Sequence, residues 1–409
     1  MNIYFIIIIG IIIFEYILSF IIRALNIRSL DPSVPEEFSD TFDQDKYKKS
    51  QLYAKANSSF EGITSTYSLL LGLIFIFSGF YNTIDMYARS FELNNILTGL
   101  SFFLILTIIS DLLSMPFSIY RTFIIEEKFG FNKTTIATYF SDKGKQYLLM
   151  IIIGGPVLGA ILYFFENAGE WGWLYVWLFI TFFSIIMQPI FNNFIAPMFN
   201  KFTPLEDGPL KEKITEYLNK VNFPVKKLEV VDGSKRSGHS NAYFSGFGKS
   251  KRIALFDTLV EQLDDNEILA VIAHEVGHYK LKHIHSGIIL SSIQTGIMFF
   301  ILSFFIMNEG LFSVFYMDNL SIYASLLFFS MLYSPISMIT GIIFMIISRK
   351  NEFSADAYSS KTAKLPEALI SGLKKMSKEN LSNLTPHWLN VFLNYSHPPV
   401  IDRINALRK

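Results

Sequence analysis

The chain has 409 residues, 51% hydrophobic and 16% aromatic, with a positive mean hydropathy. A water-soluble domain of that composition would be unusually apolar, whereas a protein that sits in lipid commonly has it. The formal charge is zero with no long basic run, which excludes nucleic acid as a partner, and the lack of cysteine excludes disulfide frameworks, thiolate metal sites and thiol nucleophiles.

A helix needs about 20 mostly apolar residues to cross a hydrocarbon layer about 30 Å thick. Seven stretches reach that length: 3–23, 63–81, 97–120, 147–165, 171–199, 286–307 and 321–348. The first lacks the basic start and small-residue cleavage site of a signal peptide, so it reads as a retained anchor. Seven crossings put the two termini on opposite sides of the membrane. Of the 35 Lys and Arg residues, all but Arg89 fall on the side of the C-terminus. The positive-inside rule therefore puts the C-terminus and the large loops in the cytoplasm and the N-terminus on the far side. Either a bacterial inner membrane or the endoplasmic reticulum membrane fits that orientation.

Residues 200–285 and 349–409 are the only stretches large enough to fold in water. The expected division is 1–199 for the first five spans, 200–285 for a cytoplasmic part, 286–348 for spans six and seven, and 349–409 for a second cytoplasmic part. Within them, 226–232, 240–246 and 252–256 read as strands bounded by Gly, Ser and Lys turns. Residues 264–280 and 366–378 read as helices, the first opening on the cap candidates Asp264, Asp265 and Asn266.

The helix at 264–280 carries His274-Glu275-Val276-Gly277-His278, the HExxH pattern. Imidazoles four residues apart share one helical face and can reach one cation, for which zinc is suited. The Glu beside the first His stands where a base for activated water is needed, and Gly277 leaves the face uncrowded. With 7 His in the chain, about 0.006 chance matches are expected, so coincidence is a weak explanation. A catalytic site commonly takes a third protein ligand and leaves one position open. Glu352, just after the last apolar stretch, fills that role if spans six and seven pack together. Asp356, one turn further on, would fix the tautomer of a ligand imidazole. His283 and His285 read as residues at the membrane boundary, and His239 and His387 have no carboxylate at a useful spacing. Gly248-Lys249-Ser250 imitates the end of a phosphate-binding loop, but Tyr243 stands where its first Gly belongs, so no nucleotide is expected.

Together with 121–132 (RTFIIEEKFGFN), 202–208 (FTPLEDG), 240–244 (SNAYF), 351–356 (NEFSAD) and 396–403 (SHPPVIDR), these residues resemble the CAAX prenyl protease 1 family over nearly the whole chain. Ser354 departs from relatives, which often carry a larger polar or acidic residue there. The resemblance implies a predominantly α-helical integral membrane protein, with seven helices enclosing a chamber and a small cytoplasmic α/β, zincin-like metalloprotease domain. It implies one zinc per chain on His274, His278 and Glu352, Glu275 as general base and Asp356 behind the ligands. His397 and Arg403 would stabilise the reacting carbonyl, and Asn241, Ala242, Tyr243 and Phe244 would pair with substrate backbone. The partners implied are the bilayer and a peptide or protein, prenylated or not. Family members remove the last three residues of prenylated CAAX peptides, and some also cut upstream; a bacterial homologue would point instead to membrane-protein quality control. Outside the enzyme class stands a transporter or lipid chamber pinned by structural zinc. It would show internal repeats and mid-membrane charge, of which the chain holds little beyond Glu15 and Asp111.

Overall fold

The computed structural model describes residues 2–223, 225–245 and 251–409. Five long helices come first: α1 (Ile3–Arg28), α2 (Gln44–Phe77), α3 (Asn95–Phe129), α4 (Ile136–Asn167) and α5 (Gly169–Phe199). Asn2, Asp43 and Asn94 cap the first three, each side chain accepting a backbone N–H of the opening turn. A wide turn interrupts α3 at Arg121–Glu126, α4 at Met150–Gly154 and α5 at Phe191–Ile195. The turn in α4 ends two residues before Pro156, whose ring clashes with the carbonyl four residues back in a regular helix; the other two turns follow Pro116 and Pro189, which lie within the helix. The apolar stretch expected to run to residue 81 breaks earlier, at Gly79, where φ is 68°. Phe80–Arg89 is a separate short helix.

Neighbouring spans touch in chain order. Tyr16 meets Thr66 between α1 and α2, and Phe60 and Tyr67 lie on Phe117 between α2 and α3. Tyr147 donates to Asp111 at 2.6 Å between α3 and α4, and Phe164 stacks on Tyr175 between α4 and α5.

After α5 the chain leaves the bundle and forms a four-stranded sheet. The strands are β1 (Phe202–Pro204), β2 (Lys227–Val231), β3 (Ala242–Ser245) and β4 (Arg252–Phe256), in the order β1-β2-β4-β3. β2 and β4 are parallel, the outer pairs antiparallel, and β3 is an edge strand. Ile253 and Leu255 of β4 are fully buried under α6 (Asp265–Lys280) and the helix Pro209–Lys220. Two of the three expected strands agree within one or two residues; the third starts at Ala242 instead of 240, and its expected end, Gly246, lies outside the described residues, as do Gly248, Lys249 and Ser250. β1 and the helix Pro209–Lys220 had no counterpart in the sequence reading.

The last two spans are α7 (His283–Ser303) and α8 (Ile322–Ala363). Trp177 of α5 donates to the Ser292 carbonyl of α7 at 2.8 Å, Gln294 of α7 donates to Thr340 of α8 at 2.7 Å, and α8 packs against α1. The seven helices therefore close into a ring. Cavities of about 750 and 440 Å³ open between the spans, one lined by residues of α3, α4, α7 and α8 and the other by residues of α5 and α7, so the inner faces of the ring line a chamber. An apolar plug seals one end, where Ile8, Ile76, Phe102, Leu162, Phe315 and Phe328 meet around Tyr81 and Tyr323. The sheet and α6 cover the other, together with α9 (Pro366–Glu379), α10 (Trp388–Asn394) and α11 (Val400–Leu407).

Candidate metal centre

The helix that carries the HExxH residues is anchored at its start. The Asp264 side chain accepts from the N–H groups of Asn266 and Glu267, and the Glu267 carboxylate accepts from the Asp264 N–H at 2.9 Å, a closed capping box. Glu267 is buried and pairs with Lys375 of α9 at 2.6 Å. Gly277 serves a closer purpose than an uncrowded face. A Cβ there would stand 3.2 Å from the Cα and carbonyl oxygen of Ala355, so α6 and α8 cross almost backbone to backbone at this point.

That crossing sets Glu352 against both histidines. Glu352 Oε1 lies 3.3 Å from His278 Nε2, Oε2 lies 3.4 Å from His274 Nε2, and the two Nε2 atoms are 3.1 Å apart. One donor atom from each of the three falls within 4.8 Å of the others. His274 Nδ1 donates to Asp356 Oδ1 at 2.8 Å, which leaves its Nε2 with a bare lone pair facing the group. Glu352 Oε2 is buried without a hydrogen-bond partner. Arg403 grips Asp356 with two bonds, Nε to Oδ2 at 2.8 Å and NH2 to Oδ1 at 2.6 Å. With Asp356 and Arg403 neutralising each other, the Glu352 carboxylate leaves a negative charge in a buried place beside both histidines. Burial opposes a charge on His274, yet Asp356 and Glu352 outweigh it and push its pKa up to about 9. Convergent ligand atoms from two imidazoles and a carboxylate, with one carboxylate oxygen buried and unsatisfied, fit a divalent metal ion.

The centre opens on a cavity of about 650 Å³ lined by Asn241, Ala242, Phe244, Glu275 and His397, among others. Burial pushes the Glu275 carboxyl above the ordinary carboxylate range. His397 is mostly exposed to this cavity, with Nε2 3.4 Å from Glu352 Oε1 and Nδ1 2.9 Å from Ser396 Oγ. Loss of solvation from the protein around the ring lowers its pKa. Of the strand residues expected to meet substrate, Asn241, Ala242 and Phe244 line the cavity. Tyr243 is not among the lining residues; successive strand side chains alternate between faces, and its ring is directed toward Phe256. Arg403 is likewise absent from the lining. It is buried behind His274, with NH1 3.5 Å from Glu352 Oε2, which is a place for holding ligands and not for touching a carbonyl in the cavity.

Other residues near the centre were missed or underrated by sequence reasoning. Arg349, at the end of the apolar part of α8, donates to the Val391 and Tyr395 carbonyls at 2.9 and 2.6 Å. It thereby ties the end of α10 to the helix that bears Glu352, two residues before His397. Asn380 holds both backbone groups of Ser240, at 2.9 and 3.2 Å, just ahead of β3. His283, at the membrane boundary where α7 begins, sits against His278. His239 does have a carboxylate partner, Glu126 at 3.7 Å, and stacks on Phe131. Apart from the His278–His283 contact, these pairings join residues far apart in the chain, and no local pattern announces them.

A family model described as the CAAX prenyl protease N-terminal, five-membrane-helix region matches residues 23–201, and that of peptidase family M48 matches residues 204–409. The human CAAX prenyl protease 1 homolog is 35% identical, covering 94% of this chain and 91% of that protein. The chain belongs to the CAAX prenyl protease 1 family. The CAAX prenyl protease 1 of Saccharomyces cerevisiae is 34% identical over 92% of this chain and 89% of its own length. The crystal structure of Ste24p from S. mikatae superposes with a TM-score of 0.94 at 33% identity, covering 99% of both chains. As a member of the CAAX prenyl protease 1 family and of peptidase family M48, the protein is a membrane-embedded metalloprotease acting on peptide or protein substrates, and the His–His–Glu group meets the family's need for a metal.

Proposed function

We propose that this protein is a zinc endopeptidase that removes the last three residues of prenylated CAAX-type peptides. The observation that carries the reading is the meeting of His274, His278 and Glu352 at the wall of a cavity, with Glu275 in that wall. His274, His278 and Glu352 would hold one zinc ion, and that ion would polarise the scissile carbonyl and lower the pKa of a bound water to about 7.

The chain's own groups supply the rest. Glu275, poised by burial to exchange a proton, takes one from the attacking water and delivers it to the leaving amine. His397 faces the cavity and donates to the oxygen on which charge develops. Asp356, held by Arg403, fixes His274 in the tautomer a ligand needs. The edge strand β3 receives an extended substrate through main-chain bonds from Asn241 onward, which suits a peptidase that reads a backbone more than side chains.

A prenyl group asks for apolar volume. A second cavity of about 750 Å³ lies further along the ring, lined by Phe103, Leu158, Met298, Leu302 and Met338 among others, which favours a lipidated substrate. The basic residues favour a metal centre on the cytoplasmic side and an N-terminus across the membrane, whether endoplasmic reticulum or bacterial inner membrane. Work is divided accordingly: 1–199 and 286–348 build the chamber, 200–285 brings the base and two ligands, and 349–409 brings the third.

The test is mass spectrometry of products from farnesylated and unfarnesylated copies of one CAAX peptide, using detergent-purified protein. Release of the terminal tripeptide from the farnesylated copy, lost with chelator and restored by zinc, is expected. Equal cleavage of both copies at other positions would instead support the quality-control reading.

A further inference from the structure

His274 has Asp356 to fix its tautomer, and His278 needs a partner of its own. A ligand imidazole must present one bare nitrogen, which requires its other nitrogen to carry the proton and to donate it. His278 directs Nε2 at Glu352 and His274, so its Nδ1 is the nitrogen that must donate. The group within reach is Nδ1 of His283, at 3.1 Å, with the two rings 5.1 Å apart and edge to face at 75°.

Which of those two nitrogens carries the proton can be read from the other end of the chain of contacts. Ser354 donates its hydroxyl hydrogen to the Asn351 carbonyl at 2.9 Å. Its oxygen is then an acceptor for His283 Nε2, 3.3 Å away. With the proton on Nε2, neutral His283 has a bare Nδ1, which accepts from His278 Nδ1–H. The direction of the whole relay is set by a backbone carbonyl that can only accept.

The backbone is bent to make this contact. α6 ends at Lys280, and α7 begins at His283 after Lys282 at φ 61°, a left-handed conformation that side chains other than glycine's rarely adopt. The strained turn sets His283 back beside His278.

We propose that His283 is a positioning residue, the partner that holds the second metal-ligand histidine in its binding tautomer and orientation, with Ser354 and the Asn351 carbonyl behind it. This rests on the reading of His274, His278 and Glu352 as zinc ligands. It differs from the Asp356 arrangement in using a neutral acceptor, so it orients His278 without adding a third negative charge to the centre.

The test is zinc affinity of the full-length protein in detergent, measured by competition with a chromophoric chelator, for wild type, His283→Leu and His283→Asn. The melting temperature of each metal-free protein is recorded beside it. The Leu variant lacks an acceptor and should bind zinc about 10- to 100-fold more weakly. The Asn variant places an amide oxygen where Nδ1 stood and should bind within a few-fold of wild type. A purely structural role would lower the metal-free melting temperature of both variants without separating their zinc affinities, and would overturn the proposal. Wild-type affinity in the Leu variant would overturn it while leaving the ligand assignment standing. A wild type that binds no zinc would overturn both.

Discussion

At the scale of single residues, the centre is a set of charges that only make sense together. Asp356 and Arg403 are both buried and bound to each other through two hydrogen bonds, so neither can be removed without leaving the other's charge uncompensated. Breaking one partner of a buried pair typically costs about 3–5 kcal/mol. Arg403→Ala should therefore lower the melting temperature of the metal-free protein and weaken zinc retention together, and a melting curve unchanged from wild type would contradict the pairing. The local half of this site was legible in the sequence, because two histidines and a glutamate at HExxH spacing need no tertiary information. Glu352 was legible through topology, since adjacent spans must pack. Arg349, Asn380 and His283 were not. Arg349 looks like a basic residue closing a span, and the Val391 and Tyr395 carbonyls reach it only after the chain folds; His283 looks like an interfacial residue, and its contact with His278 five residues earlier depends on the left-handed turn at Lys282, which no spacing rule signals. Arg403 was expected in the cavity, and its burial behind His274 follows from its bond to Asp356, which spacing alone does not reveal.

At the scale of elements, the crossing of α6 and α8 governs the site. Gly277 permits that crossing, and a methyl group there would press on the backbone of Ala355, which cannot rotate away. Gly277→Ala should cost about 1–3 kcal/mol and lower peptidase activity by spreading Glu352 from the histidines. Activity and thermal stability equal to wild type would show that the helices have slack. Hydropathy located all seven spans but understated the helices. α2 begins at Gln44 and α8 continues to Ala363, well beyond their apolar stretches, because their polar ends pack on protein and not on lipid. β1 escaped notice because three residues ending in proline carry no alternation pattern.

At the scale of the whole molecule, the first connection and the C-terminus are tied together. Glu37 accepts from both Arg408 and Lys374, and Lys374 also reaches Asp40 at 3.1 Å. The Arg408 bond, then that from Lys374, holds the Glu37 carboxyl below the ordinary carboxylate range. A depressed carboxylate contributes stability above its unfolded value of about 4.3, and that contribution fades as pH falls through the lower folded value. The melting-temperature gap between wild type and Glu37→Gln should thus be full near neutral pH and close on acidification below about pH 4. A gap that widens in acid would reverse the assignment. Enclosure of a chamber by seven helices was implied by the family resemblance and not by hydropathy, which sees each span singly; the apolar plug was foreseen by neither.

The central claim is that Glu275 is the base at a zinc centre built by His274, His278 and Glu352. Its most direct test is to measure zinc content and cleavage of a farnesylated CAAX peptide by wild type and Glu275→Gln side by side. The account predicts about one zinc per chain in both proteins and a rate lower by about 10²- to 10⁴-fold in the variant. A variant that keeps its zinc and cuts at the wild-type rate would contradict it.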